Sequence, residues 1–274
     1  MKLFAFDMDG TLLNSKEQIP QESFDALQKA KDAGHKLIIC TGRPIADINR
    51  VEGVKNGFFD YFVCNNGSYM FDLQKQELIF DKTISLEVGE EMISSVKDIP
   101  LLYVFHSSAG AARGASFTKE NEPSWFERVA NDEWYKWKDE LSQTLEQAKE
   151  KVKDAKITQM SFRTDLETTP RIFDRINEKF SDEYDIRVSN GFYIDVNPKG
   201  INKFSAIQKV IKLMNLDFDQ LIVFGDSGND VDMLKNADIG ICLGNGTTEA
   251  KSVADEIIGD HNTDALAKKV LELI

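Results

Sequence analysis

The sequence predicts an α/β protein: a parallel sheet with helices on both faces, interrupted by an inserted α+β domain. Three observations carry this. Short, continuously apolar runs alternate with amphipathic helical stretches at both ends of the chain, as in a sheet buried on both faces. The middle of the chain breaks that rhythm with mixed-polarity strands and longer helical stretches. Polar clusters follow directly on the apolar runs, where the carboxyl ends of parallel strands open a ligand crevice.

In order, Leu3 to Phe6 is a buried strand, and ESFDALQKAKDAG is an amphipathic helix stopped by Gly34. KLIICT is the second strand, polarity returns in IADINRVEG, and YFVCNN is the third strand. The last part repeats the pattern. KFSAIQKVIKLMN predicts a helix, QLIVFGD a strand, NDVDMLKNA a helix, IGICLG a strand, VADEIIG a short strand and DALAKKVLELI a closing helix. Residues 1–82 and 189–274 then form the core, and residues 83–188 the insertion, with IPLLYVFH, ITQMSFRT and YDIRVS as its strand candidates. Within the insertion, the aromatic stretch EPSWFERVANDEWYKWKD reads as packing, and the small-residue loop Ser107 to Ser116 as a hairpin.

With 274 residues, 42% apolar and 29% charged, the chain has the composition of an ordinary globular protein. A formal net charge of -13 argues against nucleic acid or an anionic membrane as partner, because both select basic surfaces. It still allows an anionic small substrate. No apolar run approaches the length of a membrane span, and the N-terminus enters a strand without a signal-peptide pattern. Cys40, Cys64 and Cys242 all lie in apolar strand-like runs, which leads us to expect free thiols and a cytoplasmic location. His35, His106 and His261 have no metal-ligand spacing.

Four stretches at predicted strand or helix ends carry the chemistry: DMDGT (Asp7 to Thr11), TGR (Thr41 to Arg43), Lys203, and GDSGND (Gly225 to Asp230). Desolvating a carboxylate at a strand end is costly without a partner. Asp7, Asp9 and Asp226 are expected to form a three-carboxylate cluster with Asp230 behind it, and such charges raise one another's pKa. A hard divalent cation resolves the repulsion, and oxygen-only ligands favour magnesium. Thr41 and Lys203 are donors, and Gly42 lets a backbone amide approach closely. Carboxylates facing hydroxyl, amide and ammonium donors suit metal-assisted phosphoryl transfer.

The ordered set DxDGT, TGR, Lys and GDxxND resembles the haloacid dehalogenase superfamily, and within it the Cof-like sugar-phosphate phosphatases. The CNNG stretch (Cys64 to Gly67) and ICLGNGTTEAKSVAD resemble the same subgroup. The resemblance implies a Rossmann-like core with the larger α/β cap inserted between Thr41 and Lys203, closing over the site and selecting the leaving group. It implies Asp7 as the nucleophile that becomes an aspartyl-phosphate, and Asp9 as the acid and base. Magnesium would be held by Asp7, the Asp9 carbonyl and Asp226, with Asp230 and Ser227 behind them. The amides of Met8 and Gly42, with Thr41, Lys203 and Asn229, would hold the phosphoryl oxygens. Asn65 and Asn66 would line the crevice. Arg43 either binds substrate or pairs with a core carboxylate, and Arg113 and Arg163 are candidate contacts from the cap.

Two residues depart from that pattern. Phe204 stands where glycine usually follows the lysine, while Lys199 precedes Gly200 just upstream; and GNG (Gly244 to Gly246) replaces the usual Gly-Asn-Ala. The expected function is a magnesium-dependent phosphatase acting on small phosphorylated metabolites, such as sugar phosphates or a phosphorylated cofactor. A phosphomutase, a dehalogenase and a non-catalytic phosphometabolite sensor are the alternatives. Each fits less well: no insertion follows the first motif, the acid Asp9 is present, and so are the nucleophile and metal ligands.

Overall fold

The structure, a computed structural model, describes residues 1–54, 58–80, 82–107, 110–126, 141–142, 144–189, 191–215 and 217–274. The chain forms two compact units, Met1–Asp81 with Ile201–Ile274, and Lys82–Gly200. Among the described residues the strands are β1 (Lys2–Phe6), β2 (Lys36–Cys40), β3 (Tyr61–Cys64), β4 (Tyr69–Asp72), β5 (Glu77–Phe80), β6 (Leu102–Ser107) and β7 (Gly110–Ala115). They continue as β8 (Leu141–Ser142), β9 (Ile157–Arg163), β10 (Tyr184–Ser189), β11 (Tyr193–Pro198), β12 (Gln220–Gly225), β13 (Ile239–Cys242) and β14 (Glu256–Ile257).

The first unit holds an eight-stranded sheet in the order β14-β13-β12-β1-β2-β3-β4-β5. From β14 to β3 neighbours are parallel. Successive side chains of a strand face opposite sides, and both sides of β1 are apolar because both are covered. Phe4 and Phe6 pack with Ala26, Leu27 and Ala30 of the helix Gln21–Asp32 and with Leu266 and Val270 of the closing helix. Leu3 and Ala5 pack with Ala206, Ile207 and Val210 of the helix Lys203–Met214 on the other side.

The sheet is not parallel throughout. β4 and β5 extend it as antiparallel strands, a hairpin absent from the sequence-based expectation. The reversal is built by three consecutive left-handed residues, Asn65 (φ 44), Asn66 (φ 55) and Gly67 (φ 104). Gly67 is required twice over, since a Cβ there would lie 2.3 Å from the Asn202 carbonyl oxygen.

Among its described residues the second unit holds a six-stranded sheet, β10-β11-β9-β6-β7-β8. Its core joins Tyr103, Phe105, Met160, Phe162, Ile194 and Val196 to three helices, Leu86–Ser95, Leu145–Val152 and Thr169–Phe180. β6 and β7 are antiparallel partners, with Ser107 opposite Gly110, as the hairpin reading of the small-residue loop expects. Trp125 and Phe126 of the aromatic stretch pack with Leu102 and Val104; the rest of that stretch, residues 127–139, lies outside the described residues. The unit ends at Gly200, beyond the expected boundary at 188. The reason is pairing: β11 lies antiparallel between β10 and β9, so residues 193–198 belong to this sheet. Among the described residues no helix is long and apolar enough to cross a membrane.

Close packing of the first unit yields a stability test. A Cβ on Gly240, in β13, would lie 2.0 Å from the Leu234 carbonyl oxygen. Gly240→Ala is expected to destabilise the protein by about 1–3 kcal/mol in urea unfolding, because backbone must shift to admit the methyl group. An unchanged midpoint would contradict the packing described here.

Candidate active site

β1, β2, β3 and β12 are neighbours in the parallel part of the sheet, so the residues that follow them emerge at one edge. Phe6 and Phe224 are register partners and their rings stack at 5.0 Å. Asp7 follows Phe6 directly, its N–H bound to the Phe224 carbonyl at 2.9 Å. Asp226 follows Phe224 after one glycine; a Cβ on Gly225 would lie 2.6 Å from that of Asp230. Thr41 follows β2, its N–H bound to the Val63 carbonyl at 2.9 Å, and Asn65 follows β3.

Lys203 is the first residue of the helix Lys203–Met214, whose N-cap is Asn202; the Asn202 side chain accepts from the Ser205 N–H at 2.7 Å. The cap fixes the chain direction and sends the lysine inward. Lys203 is fully buried, and its Nζ donates to Asp7 Oδ1 at 2.5 Å and Asp230 Oδ1 at 2.6 Å. Phe204, the residue out of pattern, packs against the apolar cluster on that face of the sheet. Lys199 belongs to the second unit and donates to the Ser181 carbonyl at 2.7 Å.

Asp230 is fully buried and doubly committed. One oxygen takes Lys203, and the other accepts from the N–H groups of Asp226 and Ser227, both at 2.9 Å. The Ser227 hydroxyl donates to Asn229 Oδ1 at 2.7 Å, and Asn229 Nδ2 donates to Asn66 Oδ1 at 2.9 Å. A Cβ on Gly42 would lie 3.3 Å from the same Asn66 oxygen. Asn66 and Asn65 are tied back by their N–H groups to the carbonyls of Thr41 and Arg43. The Thr41 hydroxyl accepts from the Arg43 N–H at 3.0 Å, and both Thr41 and Met8 are buried.

Asp7, Asp226 and Asp230 bring one carboxylate oxygen each to within 4.8 Å of one another. This corrects the expected trio of Asp7, Asp9 and Asp226. The Asp9 carboxylate is instead taken by Arg43, with Nε to Oδ2 at 2.8 Å and Nη2 to Oδ1 at 2.5 Å. Burial, and then Asp230, push the Asp7 carboxyl well above the ordinary carboxylate range, and Lys203 offsets only part of this. Burial, then Asp230, raise Asp226 as well. Burial alone would lower Lys203, but Asp230 and Asp7 hold its ammonium charged. With all three ionised, three carboxylates against one ammonium leave two negative charges unbalanced among the cluster's own side chains. A hard divalent cation matches both the charge and the all-oxygen donor set.

Four residues around this cluster carry more than sequence reasoning gave them. The Thr11 hydroxyl donates to Asp226 Oδ1 at 2.9 Å. Gly10 (φ 81) makes room for Asp226, whose Oδ2 would lie 2.6 Å from a Cβ at that position. Asn245 donates to the Gly10 carbonyl at 2.8 Å, and the Thr247 N–H donates to the Asp226 carbonyl at 2.8 Å. The GNG departure is thereby explained: a Cβ on Gly246 would lie 2.6 Å from Cys242 Sγ. The signal was present in DGT, as small or short polar residues beside the Asp9 carboxylate.

Arg113 and Arg163 lie in the second unit. Arg113 is on β7 opposite Val104, and Arg163 is buried, its guanidinium 4.7 Å from the centre of the Tyr193 ring and 5.1 Å from that of Phe192.

The model of the haloacid dehalogenase-like hydrolases matches residues 4–270, and the chain belongs to that family. Among relatives, it is 25% identical to 5-amino-6-(5-phospho-D-ribitylamino)uracil phosphatase YcsE of Bacillus subtilis, covering 98% of this chain and 94% of that protein. It is 24% identical to the pyridoxal phosphate phosphatase YbhA of Escherichia coli, covering 97% and 96%. In fold it is similar to the phosphatase BT1666 of Bacteroides thetaiotaomicron, with a TM-score of 0.82 at 22% identity, covering 100% of this chain and 96% of that one. By that family the chain is an enzyme of the hydrolase class, and both relatives named above are phosphatases.

The excess charge sets a trade-off between stability and site chemistry. Asp226→Asn removes one of the mutually repelling carboxylates. In EDTA it is expected to raise the melting temperature, by about 2–4 °C for each kcal/mol of repulsion relieved. It is also expected to diminish the stabilisation that millimolar magnesium gives the parent protein. A lower melting temperature in EDTA, with magnesium stabilisation intact, would contradict the charge count.

Proposed function

We propose that the protein is a magnesium-dependent phosphatase that hydrolyses small phosphorylated metabolites through an aspartyl-phosphate on Asp7. The observation that carries this reading is the buried Lys203 ammonium, bonded to Asp7 inside a carboxylate cluster that is short of two positive charges. A purely structural role would leave such a cluster costly with no return.

In this reading an Asp7 oxygen attacks phosphorus as the bond to the leaving oxygen breaks, and Asp9, entering this step as the carboxylic acid, gives that oxygen its proton. Asp9, now a carboxylate, takes a proton from the water that attacks phosphorus next, which releases Asp7 and inorganic phosphate. Lys203, Thr41, Asn229 and the amides of Met8 and Gly42 hold the phosphoryl oxygens, where preorganised donors act most strongly on developing charge. Asp7, the Asp9 carbonyl and Asp226 would hold the magnesium ion, with Asp230 and Ser227 behind them. Bound there, the ion supplies charge neutralisation between Asp7 and the incoming phosphate.

The relatives named for pyridoxal phosphate and for a phosphoribitylamino-uracil support a small phosphorylated metabolite as substrate. The acidic net charge fits poorly with nucleic acid as a partner, and three buried free thiols accord with a reducing, cytoplasmic compartment. In this proposal the second unit selects the leaving group.

Asp7→Asn is expected to abolish turnover of every phosphate ester while circular dichroism and melting temperature show a folded protein, because an amide cannot form the acyl-phosphate. Normal activity in the folded variant would remove the reading. Chelation is expected to stop hydrolysis, with magnesium restoring it and calcium doing so poorly, since calcium prefers higher and looser coordination. Lys203→Ala is expected to cost about a hundredfold in kcat/KM, and Lys199→Ala almost nothing. The opposite ranking would show that the phosphate lysine is misplaced.

A further inference from the structure

We infer that Arg43 is a positioning residue for Asp9, not a contact to the substrate phosphate. The inference rests on the phosphatase reading above and adds to it how the proton-transferring group is held.

The geometry is a fork. Nε and Nη2 of Arg43 reach the two separate oxygens of Asp9, at 2.8 and 2.5 Å. The two ends of this pair differ in freedom: the Arg43 side chain is 19% exposed and that of Asp9 51%. The arginine is the anchored partner. Its N–H is bound to the Thr41 hydroxyl at 3.0 Å, and its carbonyl accepts from the Asn65 N–H at 3.2 Å, so the loops after β2 and β3 fix its backbone. Asp9 is the exposed partner, and a lone exposed aspartate would turn among its rotamers. Two parallel N–H···O bonds remove that freedom as a single point charge would not, and each leaves its oxygen a second lone pair to carry the transferred proton.

The surroundings of Arg43 point the same way. Glu17 Oε1 lies 3.5 Å from Nη2, so the guanidinium faces a second carboxylate besides Asp9. Glu17 reaches it from a tight turn in which its backbone is left-handed (φ 59) and its N–H is bound to the Asn14 carbonyl at 2.9 Å. A substrate phosphate would have to displace one of these carboxylates to use the arginine.

The test uses leaving-group dependence. An alkyl phosphate needs a proton as its oxygen departs, whereas p-nitrophenyl phosphate releases a stable phenolate and does not. The constant kcat/KM reads only the steps up to formation of the aspartyl-phosphate, so later hydrolysis does not blur the comparison. Arg43→Gln is expected to lower kcat/KM for the best-hydrolysed sugar phosphate of a panel by about ten- to a hundredfold. The loss for p-nitrophenyl phosphate is expected to be less than about threefold, within the range of a minor contact. Asp9→Asn should show the same pattern more strongly, and adding Arg43→Gln to Asp9→Asn should cost nothing more. Arg43→Lys, with one point charge for the fork, should recover only part of the loss.

Equal losses on both esters, or losses that multiply with those of Asp9→Asn, would overturn the inference and make Arg43 a phosphate contact. Those results leave the phosphatase reading standing. Absence of turnover of both esters by the parent protein with magnesium would instead remove that reading, and this inference with it.

Discussion

Everything at the candidate site depends on one buried ammonium held between two carboxylates. Lys203 comes from the start of a helix that follows the second unit, Asp7 from the end of the first strand, and Asp230 from the loop after β12. These three places are brought together only when the sheet is complete, because β1 is paired with β12 on one side and with β2 on the other. An ammonium with no exposure is costly by itself, and so is each carboxylate. Together they are tolerable, and they fix where each end of the chain must come to rest. Removing one partner would strand the others in a dry interior, so the pairing specifies the fold while it prepares the site.

That pairing is incomplete by design of the charges. Asp226 adds a third carboxylate that Lys203 cannot neutralise, and the loops around it are shaped to keep it close. Gly10 leaves it room, Thr11 donates to it, and Asn245 and Thr247 tie its surroundings to the loop after β13. The cluster raises the carboxyl groups of Asp7 and Asp226 as long as it stands alone. In the proposed mechanism a dication would oppose that effect and favour the ionised Asp7 that a nucleophile needs. The feature that costs stability is, in the proposed mechanism, the one that binds the metal and attacks phosphorus.

Much of this was legible in the sequence because the parallel strands are buried on both faces. Runs such as KLIIC, YFVC and QLIVF, short, apolar and alternating with helical stretches, read as interior strands, and polar residues at their ends then meet at one edge. Lys203 was separable from Lys199 because it opens an amphipathic helix. The hairpin of β4 and β5 was not legible, since β5 is half-exposed at the sheet edge and carries no clear apolar period. The end of the second unit was also missed. β11 reads as a mixed strand, and only its pairing with β9 shows which sheet owns it. The direction of the Asp9 side chain was hidden for a different reason. Spacing places it two residues from Asp7, but whether it faces the cluster or Arg43 depends on a contact between loops, which no local pattern encodes.

The central claim is that Asp7 carries the phosphoryl group between substrate and water. Rapid acid quench of the protein during turnover of a phosphate-labelled aryl ester with magnesium, followed by peptide mapping, tests it most directly. A good leaving group makes breakdown of the phosphorylated protein the slower step, so the intermediate accumulates. The expected result is label on the peptide containing Asp7, stable to acid and released by hydroxylamine as an acyl-phosphate is. Label on another residue, or active turnover with no protein-bound phosphate at any quench time, would contradict it.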